Sequence, residues 1–169
     1  GSSKTSLYAV MVNDISIRVT KSFEAQSMLN TLRARLYNIE KGKVVIEAPI
    51  LPTALQQQGY GHAGLTFALG DSAAGYSALT LLTKSQEVMT TEFKINFLGP
   101  AIGDLLRAEG KVLKCGKRLI VVTSEVSVLN GNKQKIIAVM QGTMVPVPIW
   151  PVPTSLLINH TSAYLQVRN

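Results

Sequence analysis

The chain has 169 residues, of which 46% are hydrophobic and only 16% are charged, and its formal net charge at pH 7 is +7. This length suits one domain with its own hydrophobic core, and a charged fraction below the usual value of about 25% predicts that an oligomer covers part of the surface. The sequence excludes an internal disulfide framework, because Cys115 is the only cysteine, and it has no apolar run of about 20 residues that would span a membrane.

The sequence also argues against a metal site. The two histidines, His62 and His160, stand far apart, and no group of Cys, His and carboxylate residues has the spacing of metal ligands. The positive net charge predicts an anionic partner, with nucleic acids and phosphorylated small molecules as the two candidate classes.

Residues 1–43 are predicted to form an N-terminal segment and one helix. Residues 7–19 are apolar but fit a helix and a strand equally well. Ser22 is a candidate N-cap for a helix that ends at about Leu36, because an apolar stripe follows it. The members of this stripe are Ala25, Met28, Leu29, Leu32 and Leu36. A strand is predicted next, over Val44–Ile50, where prolines stop it.

Residues 61–82 predict one long buried helix, since almost all of them are small or apolar. Asp71 is the only carboxylate in this stretch, and no lysine or arginine accompanies it. After the helix the pattern changes to a period of two. Over Val88–Phe97, three apolar residues alternate with polar ones, which predicts a half-buried strand. The three are Phe93, Ile95 and Phe97.

Three further strands are predicted over residues 104–113, 118–129 and 134–145, and a hairpin turn at Asn130-Gly131-Asn132 joins the last two. Together these elements predict an α+β domain over residues 44–145, in which an antiparallel sheet wraps a long central helix. Residues 146–169 form a Pro-rich C-terminal extension, whose prolines are too dense for a sheet interior and predict extended chain.

The glycines before the long helix match the dinucleotide-binding pattern G-x-G-x-x-G at Gly59, Gly61 and Gly64. No strand directly precedes this match and no acidic residue follows about twenty positions later, which argues against a Rossmann unit. The glycines leave the backbone N–H groups of Ala63 and Gly64 uncovered at a helix N-terminus, an arrangement that suits a developing oxyanion. An ordinary helix entry is the alternative interpretation.

Three single residues have a structural and a chemical interpretation. Asp71 either caps a local kink at residues 70–72 or acts as a catalytic carboxylate. His62 fits a structural histidine that makes one hydrogen bond at the helix entry. Cys115 fits a bystander thiol, because no histidine lies near it in sequence.

A cluster of basic residues crowds the third and fourth strands, opposed only by Glu109. It either forms a solvated face or holds phosphate groups around a turn at Gly116. Nucleic acid is disfavoured, because the chain lacks interleaved exposed aromatic residues and a recognition helix. The basic residues are Arg107, Lys111, Lys114, Lys117 and Arg118.

The sequence resembles the hotdog-fold acyl-CoA thioesterases of the phenylacetate-pathway (PaaI-like) type from about residue 48 to residue 145. The resemblance rests on four elements in order: Gln56-x5-His62-Ala63-Gly64, Gly70-Asp71-Ser72-Ala73, VMTTEFKINFLGPA with Gly103-Asp104, and KCGKRL. Two positions depart from the family pattern. Ala63 replaces the first glycine of His-Gly-Gly, and Gln56 replaces a shorter polar residue that is often Asn.

The resemblance implies a role for each matching residue. Asp71 would be the general base or nucleophile, and the N–H of Ala63, with Gly64 beside it, would polarise the thioester carbonyl. The remaining catalytic positions are Gln56, which would hold the carbonyl or the water, His62, which would orient the helix entry, and Thr90, which would position the water. The positions expected to contact the CoA of the substrate are Glu92, Phe97, Lys114, Cys115, Gly116, Lys117, Arg118 and Leu119.

The function implied is hydrolysis of acyl-CoA thioesters to free acid and CoA, without a cofactor other than the CoA of the substrate itself. On one continuous helix Ala63 and Asp71 lie about 12 Å apart along the axis, too far to touch one thioester carbon. This separation predicts an obligate dimer, paired into a tetramer, with sites shared between subunits. The alternatives are a non-hydrolysing hotdog protein that binds acyl thioesters and a basic nucleic-acid-binding domain.

The expected location is the cytoplasm. The first three residues, Gly-Ser-Ser, resemble a cloning remnant. A mitochondrial location is therefore the alternative, if a targeting segment has been removed.

Overall fold

The structure is a computed structural model that describes residues 14–151. In order these residues form α1 over residues 14–24, α2 (Ser27–Thr31), β1 (Arg35–Glu40), β2 (Lys43–Pro49), a 3-10 helix (Pro52–Ala54), α3 (Ala63–Leu79), β3 (Gln86–Phe97), β4 (Leu105–Cys115), β5 (Ile120–Asn130) and β6 (Lys133–Pro148). The predictions for residues 1–13 and 152–169, including that for His160, fall outside the described residues.

The six strands form one antiparallel sheet in the order β1-β2-β4-β5-β6-β3. Helix α3 packs against it and contacts β2, β3, β4, β5 and β6. The predicted α+β architecture, a long central helix against an antiparallel sheet, is confirmed, and it is the hotdog fold that the resemblance implies. The strands predicted after the helix agree with β3 to β6 to within about three residues at each end.

The contact between α3 and the sheet depends on small side chains. Ala73, Ala74 and Ala78 have no exposed surface. Opposite them, a methyl group added to Gly110 on β4 would overlap the backbone of Ala73. On the helix itself, a methyl group added to Gly70 would meet the flexible side chain of Met140. The backbone of α3 therefore lies almost directly on the sheet, and glycine is required at position 110, where the two approach most closely.

The predicted single helix from Ser22 to about Leu36 is confirmed only in part. Residues 22–24 end α1 and Ser27–Thr31 form α2, but Ser22 lies inside α1 rather than capping a helix, and Leu36 lies in β1. Helix α1 occupies residues 14–24, where Val19 and Phe23, four residues apart, are buried in the core. Arg33 then adopts a left-handed backbone conformation with a φ of 53°, and the chain enters β1, which pairs with β2. Leu36 belongs to this strand because pairing with β2 outweighs the local helical stripe.

The sheet extends beyond residues 44–145 at both ends. β1 precedes this range, and β6 continues through Pro148. Among the described residues, β6 loses β5 as a neighbour after Met144 and pairs with β3 alone from there on. Prolines at 146 and 148 are tolerated because this part of β6 has no neighbouring strand on the β5 side, so no backbone N–H is needed there as a hydrogen-bond donor.

A buried ion pair joins three strands on the face of the sheet opposite α3. Glu47 on β2 is fully buried, and Arg35 on β1 and Arg107 on β4 donate to its two oxygens at 2.6 and 2.5 Å. The guanidinium of Arg107 also lies 4.3 Å from the centre of the Tyr37 ring. Since two hydrogen bonds hold it on Glu47, Arg107 links β4 to β2 and is not a free cation of the basic cluster.

We expect Gly110→Ala to destabilise the protein by about 3 kcal/mol or more, because the added methyl group overlaps helix backbone that cannot yield without moving α3. Gly75→Ala is the matched control in the same layer. Its added Cβ would lie 3.8 Å from Met144 Cε, an ordinary contact, and alanine favours a helix over glycine by about 1 kcal/mol. Urea unfolding of both variants measures the difference, and equal stabilities would contradict the close approach.

Candidate functional site

The N-terminus of α3 is held firmly by the loop before it and by the β3–β4 connection. The N–H of Gly61 donates to the carbonyl of Ala101 at 2.9 Å, and the N–H of His62 donates to the carbonyl of Ala54 at 2.9 Å. Gly61 is buried, and a Cβ added there would lie 2.8 Å from Cβ of Ala101. The direction in which α3 begins is therefore fixed by backbone contacts.

His62 is the N-cap of α3. Its Nδ1 accepts a hydrogen bond from the N–H of Gly64 at 2.8 Å, and its carbonyl accepts one from the N–H of Leu65 at 2.9 Å. Among the described residues no acceptor lies within hydrogen-bonding distance of the N–H of Ala63. The first turn thus keeps one exposed donor, that of Ala63, whereas the second predicted donor, Gly64, is occupied by the imidazole.

Gln56 lies in the tight loop that leads to this helix end. Its N–H donates to the carbonyl of Tyr60 at 2.8 Å, and its side-chain oxygen accepts a hydrogen bond from the N–H of Gln58. The side chain is therefore engaged within its own loop, next to the residues at which α3 begins.

Asp71 lies in the middle of α3, two turns beyond Ala63. The helix is continuous from Ala63 to Leu79, so the predicted kink at residues 70–72 is wrong and Asp71 caps no helical turn. The Oγ1 hydroxyl of Thr90 on β3 donates to Oδ1 of Asp71 at 2.7 Å. Asp71 and Thr90 are thus the two predicted catalytic side chains that the structure brings into contact.

The pKa of the Asp71 carboxyl is raised above its usual value of 3.8. Burial is the main cause, because it disfavours the charged form, and the hydrogen bond from Thr90 acts in the opposite direction by stabilising the carboxylate. A half-buried carboxylate of this kind is a better proton acceptor than one in water.

A β-bulge in β3 decides that Thr90 faces Asp71. Thr90 pairs with Met144 and Glu92 pairs with Thr143, so Thr91 is an extra residue in the strand. Counted back from Phe93 with a strict period of two, Thr91 would face α3 and Thr90 would face away. The bulge reverses this, and the hydroxyl of Thr91 instead donates to the carbonyl of Thr143 at 2.8 Å.

The predicted CoA-binding residues lie in two places. Glu92 and Phe97 are exposed on β3, while the others form the turn between β4 and β5, where the N–H of Gly116 donates to the carbonyl of Leu119 at 2.9 Å. The turn lies level with Thr90 but three strands away, about 14 Å at the usual strand spacing. The exposed residues of the turn are Lys114, Cys115, Lys117, Arg118 and Leu119.

The basic cluster divides into paired and exposed cations. Lys111 lies 3.0 Å from Glu109, which also pairs with Lys43 at 3.2 Å, and Arg107 is held by Glu47. The exposed cations around the turn are Lys114, Lys117 and Arg118. The unpaired cations of this cluster therefore lie together at one end of β4 and β5.

A cavity of about 140 Å³ adjoins Asp71 and Thr90, and sequence analysis missed it. Most of its other lining residues are polar, and two of them, Ser22 and Gln26, come from the N-terminal helical region, whose boundaries the sequence did not predict correctly. The further polar lining residues are Ser72, Tyr76 and Glu87. A larger cleft of about 390 Å³ lies on the opposite face of the sheet, but none of the predicted catalytic residues lines it.

Residues 14–151 hold no group of three or more His, Cys, Asp or Glu residues that could bind a metal ion. This part of the chain also contains no helix that is both long enough and apolar enough to cross a membrane.

Comparison with known proteins agrees with the fold and identifies a family. Residues 58–134 match the family model of the thioesterase superfamily. The crystal structure of a thioesterase family protein from Silicibacter pomeroyi is similar with a TM-score of 0.78 and 33% identity, over 80% of this chain and 99% of the other. The 1,4-dihydroxy-2-naphthoyl-CoA hydrolase of Listeria monocytogenes is 26% identical over 52% of this chain and 71% of its own.

The PaaI protein of Escherichia coli, from the phenylacetic acid degradation operon, shares the fold. Its TM-score is 0.72 at 22% identity, over 81% of this chain and 96% of the other. The predicted resemblance to PaaI-like hotdog thioesterases is confirmed, and the chain belongs to the thioesterase superfamily.

Proposed function

We propose that the protein hydrolyses acyl-CoA thioesters to the free acid and CoA, with Asp71 as the general base. The observation that carries the proposal is the contact between Thr90 Oγ1 and Asp71 Oδ1 on a half-buried face of α3, where burial raises the pKa of the carboxyl. A desolvated base beside a hydroxyl group is suited to activate one water molecule. The CoA thioester hydrolase among the relatives supports the substrate class.

In this mechanism Thr90 holds Oδ1 and leaves Oδ2 of Asp71 to accept a proton from water. The water oxygen attacks the thioester carbonyl carbon, and the carbonyl oxygen becomes an oxyanion that accepts a hydrogen bond from the N–H of Ala63. The tetrahedral intermediate then breaks its C–S bond. The leaving CoA thiolate takes up the proton held by Asp71, so one water molecule is consumed and one acid and one thiol are released.

The site is shared between two subunits in this proposal. Ala63 and Asp71 lie on one continuous helix, about 12 Å apart along its axis, so one subunit cannot offer both to the same carbon. Among the described strands, β3 is the last in the sheet on the side where Thr90 lies. Two-fold pairing along this edge would set two copies of α3 side by side, with Asp71 of one facing Ala63 of the other. We also propose that two such dimers pair into a tetramer.

The turn between β4 and β5 is proposed to bind the nucleotide end of CoA. Lys117 and Arg118 are exposed there, and Lys114 adds a third exposed cation. Phosphate groups are bound well by clustered lysine and arginine side chains. The division of the basic cluster disfavours nucleic acid, because two of its five cations, Arg107 and Lys111, are already paired with carboxylates.

Asp71→Asn should lower kcat by roughly 10²–10⁴-fold while substrate binding survives, because the amide keeps the shape and loses the basicity. In the wild type, kcat/KM should rise with pH through the raised pKa of Asp71, since only the carboxylate accepts a proton. Thiol release from acyl-CoAs over a pH series measures both effects.

Two controls separate catalysis from folding. The raised pKa means that ionised Asp71 costs folded stability above its unfolded pKa, so Asp71→Asn should melt no lower than the wild type at neutral pH. Thr90→Val removes the hydrogen bond that lowers the pKa of Asp71, so the acidic limb of the kcat/KM profile should move to higher pH. Thr91→Val should leave this limb in place, because Thr91 bonds to the carbonyl of Thr143 instead. Turnover by Asp71→Asn close to that of the wild type would refute the role of Asp71 as the general base.

Replacing Lys117 and Arg118 by Ala should raise KM for acyl-CoA with little change in kcat, because these cations are proposed to bind a part of the substrate far from the reacting carbon. The effect should be much smaller for acyl-pantetheine thioesters, which lack the nucleotide phosphates. Lys111→Ala is the matched control, since it removes a charge already paired with Glu109. Equal effects on both substrates would exclude the turn as the nucleotide site.

Co-expression of Asp71→Asn with Ala63→Pro should restore activity, although each variant alone is inactive. Proline removes the N–H of Ala63 and is tolerated in the first turn of a helix. Random pairing makes about half of the dimers mixed, each with one intact site, so about one quarter of wild-type activity should return. Verified mixed dimers without activity would contradict the shared site.

A further inference from the structure

We propose that Phe67 lies on the two-fold axis of the dimer, where it packs against its own copy and holds the two copies of α3 in the register that the shared site needs. The proposal rests on the proposed function, because it takes from it the pairing of Asp71 in one subunit with Ala63 in the other. It makes Phe67 a positioning residue, which acts on the reaction by fixing where Asp71 and Ala63 lie relative to each other.

The pairing of Asp71 with Ala63 fixes the place of the axis. In a two-fold dimer, a residue that faces a second residue of the partner is faced in turn by its own equivalent there, so the axis crosses the helix halfway between the two. Ala63 and Asp71 are eight residues apart on one continuous helix, and the residue halfway between them is Phe67. The same symmetry makes the two helices antiparallel. A two-fold pairing that opposes Asp71 to Ala63 therefore opposes Phe67 to its own copy.

Phe67 also lies on the correct side of α3. It is four residues after Ala63 and four before Asp71, a spacing that places all three along one side of a helix. Among the large apolar side chains of α3, that of Phe67 is the exposed one, with 37% of its surface uncovered in a single subunit. Aromatic residues are enriched at the cores of protein interfaces, so a ring at this position suits a contact between subunits. The other exposed or half-buried residues of α3 are small or polar: Ala63, Gly64, Ala68, Asp71, Ser72 and Gly75.

The ring of Phe67 is supported by the last strand of the sheet. It packs edge-on against the ring of Phe93 on β3, with 6.0 Å between ring centres. Since Thr90, earlier on β3, contacts Asp71, later on α3, the strand runs antiparallel to the helix beside it. A two-fold axis at Phe67 therefore also passes near Phe93 and sets two copies of β3 antiparallel. Antiparallel strands can hydrogen-bond directly, and among the described strands β3 has no neighbour on this side.

The charge on α3 favours the same arrangement. Asp71 is the only charged residue of this helix, and the N-terminus of a helix carries a partial positive charge. Antiparallel pairing about Phe67 places each Asp71 opposite the N-terminal turn of the other helix. Parallel pairing would instead place the two Asp71 carboxylates level with each other, where like charges repel.

Cysteine cross-linking tests the position of the axis. Closely packed helices have axes about 8–10 Å apart, which leaves facing Cα atoms about 4–5 Å apart and within reach of a disulfide. All variants carry Cys115→Ser, which removes the natural cysteine. A residue on a two-fold axis meets its own copy, so Phe67→Cys should give a covalent dimer both under mild oxidation and with a short bismaleimide.

Ala63→Cys and Asp71→Cys are the matched controls on the same side of α3. Each lies four residues from Phe67, so its own copy would be about 12 Å away along the axis, and neither variant should cross-link alone. When the two are co-expressed, the bismaleimide should join them to each other, because the proposed register makes them neighbours. Self-cross-linking of Asp71→Cys, or none by a folded Phe67→Cys, would overturn the inference.

Phe67→Lys tests the same contact without a thiol. Two lysines would face each other at the centre of the interface, so the dissociation constant of the dimer should rise by about a hundredfold or more. Met28→Lys is the control, since it places the same charge on an apolar side chain of α2 that is 60% exposed, and it should leave the dimer intact. Sedimentation velocity over a dilution series measures the dissociation, and circular dichroism establishes that both variants are folded. A folded Phe67→Lys that dissociates no more than the wild type would contradict the contact.

Thiol release from acyl-CoAs by the wild type distinguishes failure of this inference from failure of the proposed function. Cross-linking depends on where the subunits meet and gives its result whether or not the protein is a hydrolase. Hydrolysis without a cross-link in Phe67→Cys would refute the position of the axis alone. A cross-link at Phe67→Cys without hydrolysis by the wild type would refute the catalytic proposal alone.

Discussion

The close approach of α3 to the sheet is the constraint on which the remaining structure depends. Gly110 on β4 leaves room for the backbone at Ala73, and Gly70 leaves room for the side chain of Met140. A helix held this low over the strands excludes water from its sides, and Asp71 is desolvated as a consequence. The same approach brings Asp71 within reach of a hydroxyl on β3, so packing and chemistry have one physical origin.

Asp71 shows how the chain balances stability against reactivity. Burial raises the pKa of its carboxyl, which makes it a stronger base and a costlier group to keep ionised in the folded protein. The hydrogen bond from Thr90 offsets part of this cost and orients one carboxylate oxygen. The contact exists because a bulge at Thr91 turns Thr90 towards the helix. As a result Thr91 has no pairing partner on β6.

The first turn of α3 has fewer free backbone N–H donors for a substrate than its glycines suggest. His62 uses the N–H of Gly64 for the N-cap, so the exposed donor of this turn is that of Ala63. This donor and Asp71 are fixed on the same rigid helix and cannot approach each other. The chemistry proposed for the protein therefore requires a second subunit.

Sequence alone determined the elements whose signals are local. The small and apolar composition of residues 61–82 predicted α3, the alternation around Phe93 predicted β3, and the Asn130-Gly131 turn predicted the last hairpin. The isolation of Asp71 among apolar neighbours marked it as the residue to explain. Each of these signals is a period or a turn preference contained within one segment, so no distant contact was needed to interpret it.

Tertiary structure decided the features that depend on distant neighbours. Leu36 lies in β1 rather than in a helix because β2 offers an edge to pair with, and α1 begins before the predicted helix, where Val19 and Phe23 reach the core. The bulge that selects Thr90 over Thr91 is set by the register of β3 on β6. The contact of Gln26 with Tyr76 joins residues fifty positions apart. No local period encodes these three features, because their free energy comes from contacts that exist only once the sheet has formed.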